Sequence, residues 1–447
     1  MGTIAEALAR RAVERETLGR IMNGYAELTK EERPVFFRLS QEEIEVRPEE
    51  TEPLAAELSS AANDPDHWRQ AVVRLREGLA SPRLQLFRQF IGVPGGLKFL
   101  LDLRADILAA GRLPGAADFS PLDQDLVLLF EAWFHSGFLF LEEISLDSPY
   151  RQIEIIKNGD LVHPMTNIEE MVRRLGRDRR CFALYHRVMP GEPVVFIEVA
   201  LTRGVVRSIH DIIGPEPAGS DTDGRRDTAV FYSINNTQNG LAGLGLGQLL
   251  IFQVVDFLKR VAPHIKNFCT LSPMPGFWRR YLRPLLEGRG QDFRLGPDEL
   301  EKIFDKKTKS LLLREHTDRG GGAEDPFVKV LLSVFSTSHW AENGVLVNNL
   351  AKPLQRLGYI YLAEEKDRTG RPLDPVANFH LSNGATLSPA NVNFGANWSA
   401  MGLERSLSLM ANYVYSYGWR KQIQSSMAWL GGLLPGLARR KTDRPAR

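Results

Sequence analysis

Near residue 147 the apolar residues of this chain change their spacing, and that change calls for a protein in two parts. Before it the spacing is helical. The stretch "DPDHWRQAVVRLREGLA" sets Trp68, Val72, Leu75 and Leu79 at three- and four-residue intervals, behind an N-cap candidate at Asp64 and with Pro65 in the first turn. "GGLKFLLDLRADILAAG" and "LDQDLVLLFEAWFHSGFLFLEEI" keep the same period, and the second is apolar enough for the centre of a bundle. Its aromatic stripe Phe130, Trp133, Phe134 and Phe138 reads as core, and no catalytic constellation stands out in this half. Residues 1–147 are expected to form a helical domain.

After "SLDSPY" and a short helix around Ile168 to Leu175, the period falls to two or to short apolar runs. "RCFALYHRV" and "PVVFIEVALT" read as strands joined by a turn at "MPGE", and "SDTDGRRDT" reads as a polar, mobile loop before a third strand, "AVFYSI". "NNTQNGLAGLGLG" then leads into a helix, "QLLIFQVVDFLKRVA", and "HIKNFCTLS" is a further strand that ends on Ser272. The expected fold class is α+β and multidomain: a helical N-terminal bundle, then an α/β domain with a central mixed sheet over 148–447.

Composition narrows the partners. The chain has 447 residues, 43% hydrophobic and 25% charged, enough for two or three ordinary globular domains. Its 56 Lys and Arg balance 55 Asp and Glu, so no nucleic-acid partner is expected. The two cysteines, Cys181 and Cys269, lack CxxC spacing; neither a disulfide framework nor a zinc site is suggested, and a reducing, cytoplasmic setting fits. No run of eighteen apolar residues suggests a membrane span, and the N-terminus has no signal-peptide pattern. "MGTIAE" has Glu6 where myristoylation wants Ser or Thr, and "RPAR" is not a peroxisomal address. Glu6, Glu14 and Glu16 argue against an import segment, so an ordinary surface helix is expected there.

Four stretches hold candidate residues. In "FCTLSPMPGFWRRYL", Pro273 and Pro275 deny the chain a ladder donor and a helical start, leaving a stiff corner that presents Ser272. The loop Asn239, Gly240, Gly243, Leu244, Gly245 and Gly247 opens a helix, where free N–H groups and the helix dipole suit an anion. It has neither P-loop nor Rossmann spacing, and helix–strand packing alone would explain some of its glycines. In "NFHLSNGATL", His380 lies in an apolar, strand-like run, open to a core or a catalytic role, with no second histidine spaced for a metal pair. "SLSLMANYVYSY" reads as a helix carrying Tyr413 and Tyr415.

The glycine loop is similar to the one at which GNAT acetyltransferases hold the pyrophosphate of coenzyme A. Taken with "FYSINNTQNGLAGLGLG", "LSPMPGF", "HLSNGATL" and "LMANYVY", it makes the chain resemble the malonyl-CoA decarboxylase family, which joins a helical domain to a GNAT-like catalytic domain. The resemblance implies catalytic roles for Ser272, His380 and Tyr415, acyl-CoA as the small-molecule partner, and association of copies through the helical domains as a dimer or tetramer. It also implies a glutamate where this loop has Gly245. Glu198, the one ionisable residue inside "PVVFIEVALT", is the candidate replacement, although strand alternation also allows it a solvated face.

Decarboxylation of malonyl-CoA needs an oxyanion stabilised and a carbon protonated, with the thioester carbonyl as electron sink; no cofactor or metal is expected. Ser272 and His380 can supply one function each, and the sequence leaves open which does which. Two other classes stay open: a GNAT-type N-acyltransferase, and a non-catalytic malonyl-CoA binding protein. A serine hydrolase lacks support because there is no G-x-S-x-G elbow and Pro273 has no N–H for an oxyanion.

Overall fold

The computed structural model describes residues 13–165, 167–176, 178–214, 226–290 and 292–415. Most of "SDTDGRRDT", the segment before Val13 and everything after Tyr415 lie outside the described residues. The chain forms two compact units that interleave along the sequence. One contains residues up to Pro164 with Phe182–Ile197 and Ile234–Val254; the other contains Met165–Cys181, Glu198–Ser233 and the residues from Val255 onward.

The first unit opens with the expected helices. Helix Arg15–Ala26 buries Leu18, Ile21 and Tyr25 along one side, so it is more than a surface helix. Helix Pro65–Gly78 starts as its sequence asks: the Asp64 carboxylate accepts from the N–H groups of Asp66 and His67, two donors that the first turn leaves orphaned. Its apolar stripe, however, is not core. Trp68 and Val72 are each 40% exposed and Leu79 54%, and Ala71 is the residue that this helix buries. The helices Gly96–Ala110 and Ser120–Trp133 bury broad apolar faces, including Phe99, Leu100, Leu103, Leu126 and Phe130.

The run expected as one helix from Leu122 to Ile144 is two elements. The helix ends at Trp133, and strand β1 covers Leu139–Ile144. Gly137, the poorest helix former short of proline, sits in the break, and the alternation that follows suits a sheet edge. The aromatic stripe divides accordingly: Phe130 and Phe134 are buried, whereas Phe138 is 43% exposed. Because β1 belongs to the main sheet, the expected boundary at 147/148 does not separate helices from strands.

Strands β2 (Arg179–His186), β3 (Met189–Thr202), β4 (Thr228–Asn236) and β5 (Asn267–Thr270) follow β1 in spatial as well as sequence order, in one mixed five-stranded sheet. The turn between β2 and β3 is Arg187–Val188, two residues earlier than "MPGE" suggested, and Gly191 is absorbed into β3 with φ 80°. β4 and β5 run parallel, with Thr228 opposite Asn267 and Phe231 opposite Thr270. Helix Leu246–Val261 makes the crossover between them. This strand, glycine loop, helix and parallel strand is the order that a GNAT-like reading expects.

A second, antiparallel sheet lies one residue beyond β5. Strands β6 (Ser272–Pro273), β7 (Val392–Asn393) and β8 (Met410–Ala411) pair in the order β6-β8-β7, with Ser272 opposite Ala411. Leu271 alone separates the two sheets, and its N–H still donates to the Phe231 carbonyl at 2.9 Å. Two sequence expectations change here. "SLSLMANYVYSY", described as far as Tyr415, does not form the expected helix: helix Ala400–Ser406 stops where Leu407 and Ser408 take φ 51° and 67°, and the chain enters β8. His380 is helical: Asp374 caps helix Pro375–Ser382 by accepting from the Ala377 N–H at 2.8 Å, and Pro375 fills its first position.

Candidate active site

Within the second unit, three separated segments meet at one histidine. Ser272 stands at the junction of the two sheets; β5 stops at Thr270, and Ser272 and Pro273 pair with Ala411 and Met410 as β6 where the sequence suggested a strand end and a corner. Its Oγ lies 3.2 Å from Nε2 of His380 and 2.9 Å from Oγ1 of Thr270, the last residue of β5. On the other side of the ring, Nδ1 of His380 lies 2.8 Å from the Tyr415 hydroxyl. The Tyr413 ring stacks on the imidazole, with centroids 4.6 Å apart and planes 26° from parallel. Two residues apart on an extended segment, Tyr413 and Tyr415 thus hold the ring by its face and by its edge.

The surroundings keep this group dry and fixed. Ser272, His380 and Tyr415 are each buried to within a few per cent of full exclusion, and Thr270 is fully buried. Burial pushes the His380 pKa down to about 3, because the enclosed ring is cut off from the solvation that an imidazolium needs. Burial also raises the Tyr415 phenol well above its ordinary value. At neutral pH the resting state is therefore a neutral imidazole beside a protonated phenol. If Tyr415 donates to Nδ1, the ring proton sits on Nε2 and points at Ser272 Oγ, while the serine hydroxyl donates to Thr270.

Asn412 locks the segment that delivers the tyrosines. Its amide nitrogen donates to the carbonyls of Thr270 at 2.6 Å and Val206 at 3.0 Å, and its oxygen accepts from Asn393 at 2.7 Å. The Tyr413 N–H donates to Thr270 Oγ1 at 3.1 Å, so the same hydroxyl ties the tyrosine strand to the serine.

The structure does not bring Glu198 to this group. Its side chain is fully buried, which overturns the solvated alternative, but a carboxylate oxygen pairs with Arg174 at 3.3 Å, itself nearly buried. Alternation explains why. Ala200, two residues along β3, clusters with Val230, Tyr232, Cys269 and Leu271. Thr270 lies between those last two and points to the other face, where its hydroxyl meets Ser272. Glu198 therefore faces away from the serine, next to Tyr232, whose phenol is held protonated by burial and then by that carboxylate.

The first unit holds the glycine loop. Gly240 is fixed by packing: a Cβ there would fall 2.1 Å from the Leu101 carbonyl oxygen in helix Gly96–Ala110. A Cβ at Gly243 or Gly245 would meet nothing within 4 Å, but the two residues have φ 84° and 70°, which only glycine adopts freely. A glutamate at Gly245 would be strained whatever room it had. Among the described residues, no backbone carbonyl accepts from the N–H of Gly243, Gly245, Leu246 or Gly247. Asn239 and Leu244 flank these donors within the same loop, on either side of Gly243.

Residues 48–134 match the family described as malonyl-CoA decarboxylase N-terminal domain, and residues 137–425 match the malonyl-CoA decarboxylase C-terminal domain. The chain belongs to the malonyl-CoA decarboxylase family. It is 38% identical over 349 residues to the mitochondrial malonyl-CoA decarboxylase of Rattus norvegicus, covering 77% of this chain and 68% of that protein. It is 36% identical over 367 residues to that of Anser anser anser, covering 81% and 69%. Crystal structures of malonyl-CoA decarboxylase from Rhodopseudomonas palustris and Agrobacterium vitis superpose with TM-scores of 0.75 and 0.76 at 30% identity. Each covers 95% of this chain, and the match spans 95% and 94% of those chains. In this family member, no group of three or more His, Cys, Asp or Glu suited to a metal ion occurs among the described residues, and no described helix is long and apolar enough to cross a membrane.

Sequence reasoning passed over Thr270, Asn412 and Asp374. Asp374-Pro375 was a readable helix start, and Asn412 lies inside the "LMANYVY" match. Nothing in the sequence marked Thr270, because its role comes from a strand alternation that is visible only once β5 and β6 are placed.

Proposed function

We propose that the chain decarboxylates malonyl-CoA to acetyl-CoA and CO2, with Ser272, His380 and Tyr415 as its catalytic residues. The observation that carries this reading is the continuous hydroxyl–imidazole–hydroxyl chain, Ser272 to His380 to Tyr415, closed around a ring that burial keeps neutral. Family membership supports the substrate class. The free N–H groups of the glycine loop support a diphosphate, such as that of coenzyme A, at the start of helix Leu246–Val261.

When the bond to the carboxylate breaks, CO2 leaves and the electron pair passes into the thioester as an enolate. A serine hydroxyl at the enolate stabilises it as a hydrogen-bond donor, an effect typically worth roughly 3 to 4 kcal/mol. The α-carbon, a far stronger base than an alkoxide or phenolate, then takes the Ser272 proton. Nε2–H of His380 replaces that proton, and the Tyr415 hydroxyl replaces the one on the ring. The relay then runs back, the phenolate retaking the Nδ1 proton, Nε2 taking one from Ser272 and Ser272 recovering its proton from solvent as product leaves, so each turnover consumes one proton and restores the Nε2–H ring. In this scheme His380 passes a proton without ever becoming imidazolium, which the dry pocket disfavours. The raised phenol pKa keeps Tyr415 loaded at rest.

Purified protein incubated with malonyl-CoA tests the reading by product. Equal amounts of CO2 and acetyl-CoA, unaffected by EDTA, are expected. Transfer of the acyl group to an amine, release of free CoA, or tight binding of intact malonyl-CoA would each overturn it.

A further inference from the structure

The helical half of the chain, which shows no catalytic motif, holds a buried arginine against the glycine loop. Arg104, on helix Gly96–Ala110, is 4% exposed. Its Nε donates to Asp123 Oδ1 at 2.7 Å, and one terminal nitrogen donates to two loop carbonyls, Gly240 O at 2.6 Å and Ala242 O at 2.9 Å. A guanidinium is expensive to bury, and one carboxylate partner is the common arrangement. Here two backbone carbonyls, two residues apart, complete the set, both immediately ahead of the free N–H groups.

We propose that Arg104, held by Asp123, is a positioning residue that sets the glycine loop for the diphosphate of the acyl-CoA substrate. The inference rests on the reading of that loop as the coenzyme A cradle. In a trans peptide the C=O and the following N–H point in opposite directions. With the Ala242 carbonyl turned onto Arg104, the Gly243 N–H is turned away from it, and that N–H is one of the four without a backbone acceptor. Gly243 has φ 84°, which glycine adopts freely, and the peptide plane that carries its N–H is held from the Ala242 side by the bond to Arg104. The guanidinium also places positive charge behind the donors that would face an anion. Arg104 and Asp123 fall in the part of the chain matching the N-terminal domain, whereas the loop falls in the part matching the C-terminal domain. The helical domain thereby contributes to substrate binding without touching the substrate.

The test compares Arg104→Met, Arg104→Lys and Asp123→Asn with wild type in the full chain. The readouts are the Kd for CoA by calorimetry, and KM and kcat for malonyl-CoA. The expected result for Arg104→Met is a rise of tenfold or more in Kd and KM, with kcat at saturation within about threefold of wild type. Arg104→Lys, which can still donate to the carbonyls, should recover part of that loss, and Asp123→Asn should give a smaller rise of the same kind. An unchanged Kd for CoA in Arg104→Met, or a fall in kcat with Kd unchanged, overturns the proposal. If Arg104→Met does not fold, Arg104→Lys and Asp123→Asn decide it, and wild-type Kd in both overturns it. Gly243→Val separates the two claims: a folded Gly243→Val protein with wild-type affinity for CoA would remove the cradle itself, whereas lost affinity there with none lost in the Arg104 variants would remove only the positioning role.

Discussion

If His380 works as a neutral ring, decarboxylation should show no titration of a histidine in the physiological range. An ordinary imidazole with a pKa of about 6.5 is half protonated at pH 6.5 and about 97% protonated at pH 5. A catalyst that needs the neutral form of such a ring would lose roughly thirtyfold in kcat between pH 8 and pH 5. With the pKa pushed down to about 3, only about one ring in a hundred is protonated at pH 5, and kcat should stay level. The same depression bears on stability. The folded-state value lies below the unfolded one, so the stabilisation is complete above about pH 6.5 and is lost as pH falls from there toward 3. At 1.36 kcal/mol per pH unit the full effect is about 5 kcal/mol, of which about 2 kcal/mol is lost by pH 5. The assay is kcat from acetyl-CoA formation at saturating malonyl-CoA from pH 5 to 9, with urea unfolding of wild type and His380→Gln at pH 7 and pH 5. The variant should lose about 2 kcal/mol less on acidification than wild type. A kcat inflection near pH 6.5, or equal acid sensitivity of the two proteins, would refute the claim that burial holds this ring neutral.

Further substitutions probe the supports. Tyr415→Phe removes the hydroxyl at Nδ1 and should cut kcat by roughly ten- to a hundredfold with KM little changed, measured by steady-state kinetics. Glu198→Gln should leave kcat within about threefold of wild type, because that carboxylate faces Arg174 and Tyr232 rather than Ser272; a loss beyond tenfold at unchanged melting temperature would place it in the catalytic group after all. Asp374→Ala removes the cap of the helix carrying His380, and should lower stability by about 1 kcal/mol and kcat together, read from urea unfolding and turnover of the same preparation.

The sequence was most legible where one element dictated its own form. The Asp64 cap, the helix Leu246–Val261 and the strands on either side of it could be read from spacing and turn chemistry, whereas the corner expected at Ser272 is the short strand β6, formed by pairing with Met410–Ala411. Misreadings came where tertiary contacts outweighed local pattern. Apolar spacing could not distinguish a helix running on to Ile144 from one that stops at Trp133, since Leu139–Ile144 acquires its strand form by pairing in the sheet. His380 looked strand-like because Phe379 and Leu381 flank it, yet Asp374-Pro375, five and six residues upstream, had already started a helix. Met410–Ala411 looked helical until two left-handed residues, Leu407 and Ser408, ended the preceding helix. Glu198 was correctly singled out as a carboxylate that needs a partner. Which partner it found depended on the sheet faces that Glu198 and Thr270 take, two strands apart, and no single-strand pattern records that. Arg104 gave no signal at all, because its acceptors in the glycine loop are backbone carbonyls 136 and 138 residues away.

The central claim, that the chain from Ser272 through His380 to Tyr415 protonates the product, is tested most directly by the turnover of Ser272→Ala on malonyl-CoA. The measurement is kcat at saturation, taken alongside the Kd for CoA on the same protein. The expected result is a fall of roughly a hundredfold or more in kcat, in the range for loss of a positioned proton donor, with Kd unchanged. A kcat within twofold of wild type would contradict it and leave Ser272 as a structural residue of β6.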